Sequence, residues 1–200
     1  MRLLRKPILL VFILLLTGCA SRFTRIEQPN TAFERPGYTV HSPKQDGWVY
    51  AKYENPGEHV ILFGKPQKEV DHTLYASVKE IPSFAKFEKP EDFLDFQKKA
   101  SKIGNDPRRY NYLDEQLTLE HTFGDYTVAY YVKAEDHGAV QSSGAPFLVM
   151  ETYAYYFIHP SIPNLMVNII YSERAKNGEL PDNFKSTALE FVNGITLKNK

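Results

Sequence analysis

The chain holds a single cysteine, Cys19, so whatever folds beyond it does so without a disulfide framework or a thiolate metal site. Packing alone must hold it together. The material for that packing is aromatic: 13 Phe, 13 Tyr and one Trp in 200 residues. Many of these rings fall in short alternating runs, which prolines and glycines cut to strand length. Trp48 to Glu54 alternates and stops at Asn55-Pro56-Gly57, His59 to Phe63 ends at Gly64 and Pro66, and Thr73 to Ile81 halts before Pro82. Asn111 to Thr122, Tyr126 to Lys133, Val149 to Ile158 and Leu165 to Ser172 follow. All are rich in the β-branched and aromatic residues that suit a pleated, partly buried surface.

Two segments carry a helical period instead. Pro90 opens one in which Phe93, Leu94, Phe96, Ala100 and Ile103 share a face. Its acidic residues (Glu91, Asp92, Asp95) come early and its lysines (Lys98, Lys99, Lys102) late, as the helix dipole favours, and Gly104 suits a stop. The second runs from about Pro181 to Asn193, with Phe184, Ala188, Phe191, Val192 and Ile195 at helical spacing. Strands in runs, one helix between them and one at the end predict an α+β fold. Specifically, they predict a mainly antiparallel sheet of about six to seven strands packed by two helices. Large residues on both alternating faces of Thr127 to Lys133 and Val149 to Ile158 predict a sheet covered on both sides.

Ahead of this domain stand Arg2, Arg5 and Lys6, then nine unbroken apolar residues from Ile8 to Leu16. Basic head, short apolar core and small residues at a cleavage point are the parts of a secretory signal peptide. As an uncleaved helix, Ile8 to Ala20 would span roughly 20 Å, short of the ~30 Å hydrocarbon core. Leu16-Thr17-Gly18-Cys19 resembles the lipobox of bacterial lipoproteins. That resemblance implies cleavage after Gly18, a diacylglyceryl group on the Cys19 thiol and acylation of the new amino group. Two or more acyl chains hold a protein stably at a bilayer, where one does so only marginally. Ala20 in place of Asp, by resemblance to known sorting signals, favours the outer membrane, with the folded body on the periplasmic side.

The chain therefore divides into a signal peptide (1–18), a lipidated cysteine with a tether (19–37) and one globular domain (38–200). The tether is polar and broken by Pro29 and Pro36. Loss of the signal leaves 21 basic against 24 acidic side chains, a balance that argues against nucleic acid as a partner.

The order of elements resembles the PsbP-like α/β/α sandwich, a fold also represented by bacterial lipoproteins of the DcrB type. The residues that carry the likeness are Gly47-Trp48-Val49, Pro90 to Phe96 and Asn168 to Arg174, the last followed by an acidic, Phe-bearing helix. It covers most of Tyr38 to Lys200. Members of that fold are mostly non-catalytic accessory or assembly factors, so the resemblance implies a class of role and carries no functional residue over.

Chemistry is sparse. Six histidines (His41, His59, His72, His121, His137 and His159) include no i, i+4 pair and no H-E-x-x-H, although His59 and His72 would face each other across strands with Asp71 near. His159-Pro160-Ser161 and Asp114-Glu115 offer residues of a hydrolase type, yet Ser142-Ser143-Gly144 lacks the G-x-S-x-G elbow and no nucleophile stands between a strand and a helix as that elbow requires. No phosphate loop or dinucleotide fingerprint is present, and no cofactor is expected. Two features suit binding. Tyr130, Tyr153, Tyr155 and Tyr156, with Tyr126 and Tyr131, lie on strands expected to be neighbours; exposed, they form an aromatic surface, and otherwise they are core. Ala134 to Pro146 is a long polar hairpin loop, and Arg108-Arg109 offers a carboxylate or phosphate contact. The expectation is a non-catalytic, membrane-anchored lipoprotein that binds a protein partner or envelope component. A periplasmic hydrolase and a lipid or sugar carrier stay open as alternatives.

Overall fold

A computed structural model describes residues 23–198 apart from residues 84, 104 and 105. The expected signal peptide, Cys19 and the expected helix stop Gly104 lie outside the described residues. The strands, in chain order, are β1 (Thr24–Arg25), β2 (Ala32–Glu34), β3 (Tyr38–His41), β4 (Val49–Asn55), β5 (Glu58–Lys65), β6 (Thr73–Pro82), β7 (Tyr110–Glu120), β8 (Thr127–Asp136), β9 (Leu148–Ile158), β10 (Leu165–Ala175) and β11 (Thr196–Leu197). Helix α1 (Pro90–Ile103) lies between β6 and β7, and α2 (Phe184–Asn193) between β10 and β11.

The fold class is α+β and mainly antiparallel sheet, as expected. The strand count is higher than six to seven: β1-β4-β5-β6-β10-β9-β8-β7 form one eight-stranded sheet, and β11-β3-β2 form a second of three strands. The seven segments marked by alternation are β4 to β10. The extra four are two to four residues long, too short for a period of two to show.

Two meanders build the large sheet. In β4-β5-β6 the first turn is Pro56-Gly57, with Gly57 at φ 79, the left-handed position that glycine fills at no steric cost. The chain then leaves β6, runs through α1 to the far edge as β7, and returns strand by strand until β10 pairs with β6 over ten residues. A bulge between Tyr112 and Asp114 breaks the β7 ladder and turns Leu113 outward, 52% exposed.

The segment expected as a tether belongs to the folded body from Thr24 onward. Thr24 and Arg25 pair with Tyr50 and Val49 at the sheet edge, and the Ile26 N–H donates to the Trp48 carbonyl at 3.0 Å. Phe33 is buried, with ring centroids 4.8 Å from Tyr50 and 5.3 Å from Phe63. The physical reason is that one buried ring and one edge pairing suffice to fix a short segment, while its prolines and polar residues hide that from any periodic pattern.

The main core lies on one face of the large sheet. There Phe63, Val78, Phe157, Ile169 and Tyr171 meet Phe184, Ala188, Phe191 and Val192 of α2, with Tyr38 and Val40 of the small sheet and Trp48 closing the side. Phe191 sits 5.9 Å from Phe63 and 6.0 Å from Tyr171. Helix α1 packs on the opposite face, where Gln97 Nε2 reaches Met166 Sδ at 3.6 Å. The two helices thus cover opposite faces, as the large residues on both sides of the strands predict. Pro90 occupies the first helical position of α1, and the Asp92 carboxylate accepts the Lys89 N–H at 3.2 Å, half of a capping box. The buried line on α1 is Phe93 and Gln97, not the expected Phe96 and Ala100, which are exposed; Phe96 stacks beside Phe93 and meets Phe87 edge-on.

Candidate binding face

Strand alternation divides the expected tyrosine surface in two. Tyr153 and Tyr155 point into the main core, where they are 8% and 5% exposed. Tyr130 and Tyr156 point to the opposite face, because Tyr130 pairs with Ala154 and Tyr156 with Val128. The four expected residues therefore do not make one surface. A period of two puts Tyr155 and Tyr156 on opposite sides whatever else happens, and cross-strand register decides which side Tyr130 joins. Tyr131 is on the core side, and the Tyr126 hydroxyl donates to the Phe87 carbonyl at 3.2 Å.

Register brings other tyrosines to the face of Tyr130 and Tyr156. Tyr112 pairs with Ala134 and Tyr110 with Asp136 on β7–β8, and Tyr75 pairs with Ser172 on β6–β10. All of these stand on the same side as Tyr130. The five rings come from four strands. Tyr130 and Tyr156 lie 6.2 Å apart, and Tyr110 and Tyr112 lie 6.4 Å apart. Small residues (Ser77, Ala134, Thr152, Ala154 and Ser172) fill this face between them, and each is buried. Tyr75 is 38% exposed, and Tyr110, Tyr112, Tyr156 and Ile170 are half-buried. Tyr130, expected at the surface, is instead as buried as Tyr153 and forms a small second core with Val132, Ala134 and Ala154 beneath this face.

Four phenols of this face, Tyr110, Tyr112, Tyr130 and Tyr156, are raised above their ordinary range. Burial, then the neighbouring Glu115 carboxylate, pushes the Tyr130 phenol well above its ordinary range, and its hydroxyl donates to Glu115 Oε1 at 3.2 Å. Burial pushes Tyr156 up to about 12. Tyr110 and Tyr112 are raised too, chiefly by burial. The face therefore offers flat apolar area edged by neutral groups that donate and accept hydrogen bonds.

One end of the face carries an ionic knot. The Asp136 carboxylate is fully buried and takes both Arg109 Nε (2.8 Å) and Nη2 (2.9 Å), Arg174 Nη1 (2.8 Å) and the Gly138 N–H (3.1 Å). Burial resists its ionisation, but the two guanidinium groups overcome that and hold the carboxyl below its usual range. Arg109 also stacks 4.9 Å over Tyr110. So Arg109 does engage a carboxylate, one supplied by its own chain. Arg108 pairs instead with Asp106 at 3.0 Å.

The other candidates serve structure. The β8–β9 loop is fastened by Asp71, which accepts the Ser143 N–H at 3.0 Å, the Ser142 hydroxyl at 3.2 Å and the Ser142 N–H. His159 Nε2 donates to the Gly37 carbonyl at 2.8 Å, and its Nδ1 accepts from Ser161 and Ile162, so both ring nitrogens are engaged. His59 and His72 do not meet. His59 pairs with Glu80 at one end of the β5–β6 hairpin, while His72 precedes β6 at the other and bonds Glu173 at 2.7 Å. Among the described residues no group of three or more His, Cys, Asp or Glu is placed to hold a metal ion, and no helix is long and apolar enough to cross a membrane.

Sheet, helices on opposite faces and a tyrosine-lined surface define an α+β domain with a candidate recognition face. No protein-family model matches this chain, and no curated protein matches it.

Proposed function

We propose that this chain is a non-catalytic periplasmic lipoprotein, anchored in the membrane by the lipid on Cys19, whose tyrosine face binds a protein partner in the cell envelope. The observation that carries the reading is the cluster of Tyr75, Tyr110, Tyr112, Tyr130 and Tyr156 from separate strands on one sheet face. Tyrosine and arginine are enriched where proteins meet, because a rigid ring contributes apolar area at low entropic cost and a polar tip fixes orientation. Here both residue types stand together. The lipobox supplies the location, and Ala20 favours the outer membrane. The layering of helices on opposite faces is the arrangement that the PsbP-like resemblance implies, and the accessory or assembly role follows from that resemblance alone. A hydrolase reading draws on His159, Ser161, Asp114 and Glu115, but both His159 ring nitrogens are engaged by backbone groups, Asp114 accepts from Gln116 and Glu115 accepts from the Tyr130 hydroxyl.

The test is crosslinking in cells followed by mass-spectrometric identification of what is captured, with Cys19→Ala to separate contacts that need the anchor. One dominant envelope protein, lost in a Tyr75→Ala, Tyr112→Ala double variant that keeps its fold, supports the reading. Recovery of nothing beyond control, or capture indifferent to those tyrosines, contradicts it.

A further inference from the structure

The geometry points to the β1–β4 edge of the large sheet, with the groove beside it, as the surface that rests on lipid headgroups. This inference rests on the lipoprotein reading and adds an orientation to it. Five residue steps separate Cys19 from Thr24, and at full extension they reach ~18 Å. Thr24 is already paired into the sheet edge. The lipid on Cys19 therefore holds that edge near the bilayer, while the β7 edge stands seven strand spacings away, ~34 Å across the sheet.

The chemistry of the near edge suits an interface between water and lipid. A groove of about 460 Å³ opens there, lined by β1, the following loop, Phe33, Tyr50 and Lys52. The Lys52 ammonium lies 5.3 Å over the Phe33 ring and 5.9 Å over the Tyr50 ring. Arg25 is exposed on β1, and Phe23, just ahead of it, is 43% exposed. The Lys52 and Arg25 cations beside the exposed Phe23 place positive charge at phosphate level and the Phe23 ring at the acyl boundary, while the buried Phe33 ring holds Lys52 at the rim. Glu27 in the same groove is the one acid among its lining residues. With this edge down, the tyrosine face, covered in part by α1, stands upright with Tyr75 exposed.

Lysine footprinting tests the orientation. The native protein in vesicles of phosphatidylethanolamine and phosphatidylglycerol is labelled with an amine-reactive ester, and the same protein in detergent is the reference. Mass spectrometry then reads each lysine, together with the acylation state of Cys19. The expected result is a several-fold fall in labelling at Lys52 on vesicles. Lys79 on the tyrosine face, Lys99 on α1 and Lys185 on α2 should label equally in both states. An acylated chain with Lys52 unshielded, or with Lys79, Lys99 or Lys185 shielded in its place, overturns the inference and leaves the lipoprotein reading standing. A chain that carries no acyl group on Cys19 overturns both.

Discussion

Tyr130 and Tyr156 face each other on neighbouring strands, ring centroids 6.2 Å apart and inclined at 42°. Ala154, the cross-strand partner of Tyr130, is fully buried beside them. A small residue flanked by two large ones is how this face becomes a closed apolar layer that still presents hydroxyls. Replacing Tyr156 by Phe keeps the ring and should alter stability by less than about 1 kcal/mol, while weakening capture of the partner. Tyr156→Ala removes the ring and should cost about 2 kcal/mol in denaturant unfolding. Undiminished capture by Tyr156→Phe would show that the hydroxyl has no separate role.

Alkaline titration reads the buried phenols of both sheet faces. Burial raises Tyr156 and Tyr131 to about 12, and Tyr130 higher still. A phenol whose folded value is raised stabilises the fold fully below about pH 10, and that contribution is lost as pH rises through the folded value. Tyrosinate absorbance should therefore show a late class of phenols in the folded protein, with stability falling above about pH 10. Titration of every tyrosine in one step at the free value would contradict the burial described.

Asp136 and Glu80 set the acid limit. Glu80 takes Arg35 Nε at 2.7 Å and the Tyr38 hydroxyl at 2.8 Å, linking the small sheet to the large one. Both carboxyls are held below their ordinary values by these guanidinium partners against the pull of burial. Their contribution is present above about pH 4 and lost as pH falls through the lowered folded values. Asp136→Asn should cost about 3 kcal/mol at neutral pH, since it leaves Arg109 and Arg174 without their counter-charge. Urea unfolding across pH measures both effects.

Asp71→Ala should release the β8–β9 loop without unfolding the domain. Amide exchange at Ser142 and Ser143 would then accelerate, while the β8, β9 and β10 amides keep their protection. Unchanged exchange at the two serines would mean that Asp71 does not hold the loop.

The segment ahead of β3 offers a sharper contrast. Phe33→Ala should cost about 3 kcal/mol, because the ring is buried against Tyr50 and Phe63. A chain beginning at Gly37 should melt lower than one beginning at Cys19. A plain tether would leave both measurements unmoved.

Much of the scaffold was legible because long alternating runs and prolines declare themselves. Strands β4 to β10 and both helices fall within a few residues of where period and punctuation put them. The short strands were not legible, since Thr24–Arg25 becomes a strand only by pairing with distant Tyr50 and Val49, and Ala32–Glu34 has only a three-residue ladder with β3, too short for a period to show. The binding face was half legible. Of the four tyrosines marked in the sequence only Tyr156 is half-exposed on it; Tyr130 is buried beneath that face, and Tyr153 and Tyr155 belong to the main core. Tyr75, Tyr110 and Tyr112 join the face through register alone, and the bulge at Leu113 keeps Tyr112 on it. The clustering of aromatic residues in β7 was the available signal, and no local pattern says which way they turn.

The most direct measurement places a photo-crosslinking amino acid at Tyr75, on the tyrosine face, and separately at Lys185 on α2, in the full lipidated chain in living cells. The account predicts one discrete protein adduct from position 75 that disappears in Tyr156→Ala, with none from position 185. The same adducts from both positions, or none from position 75, would contradict it.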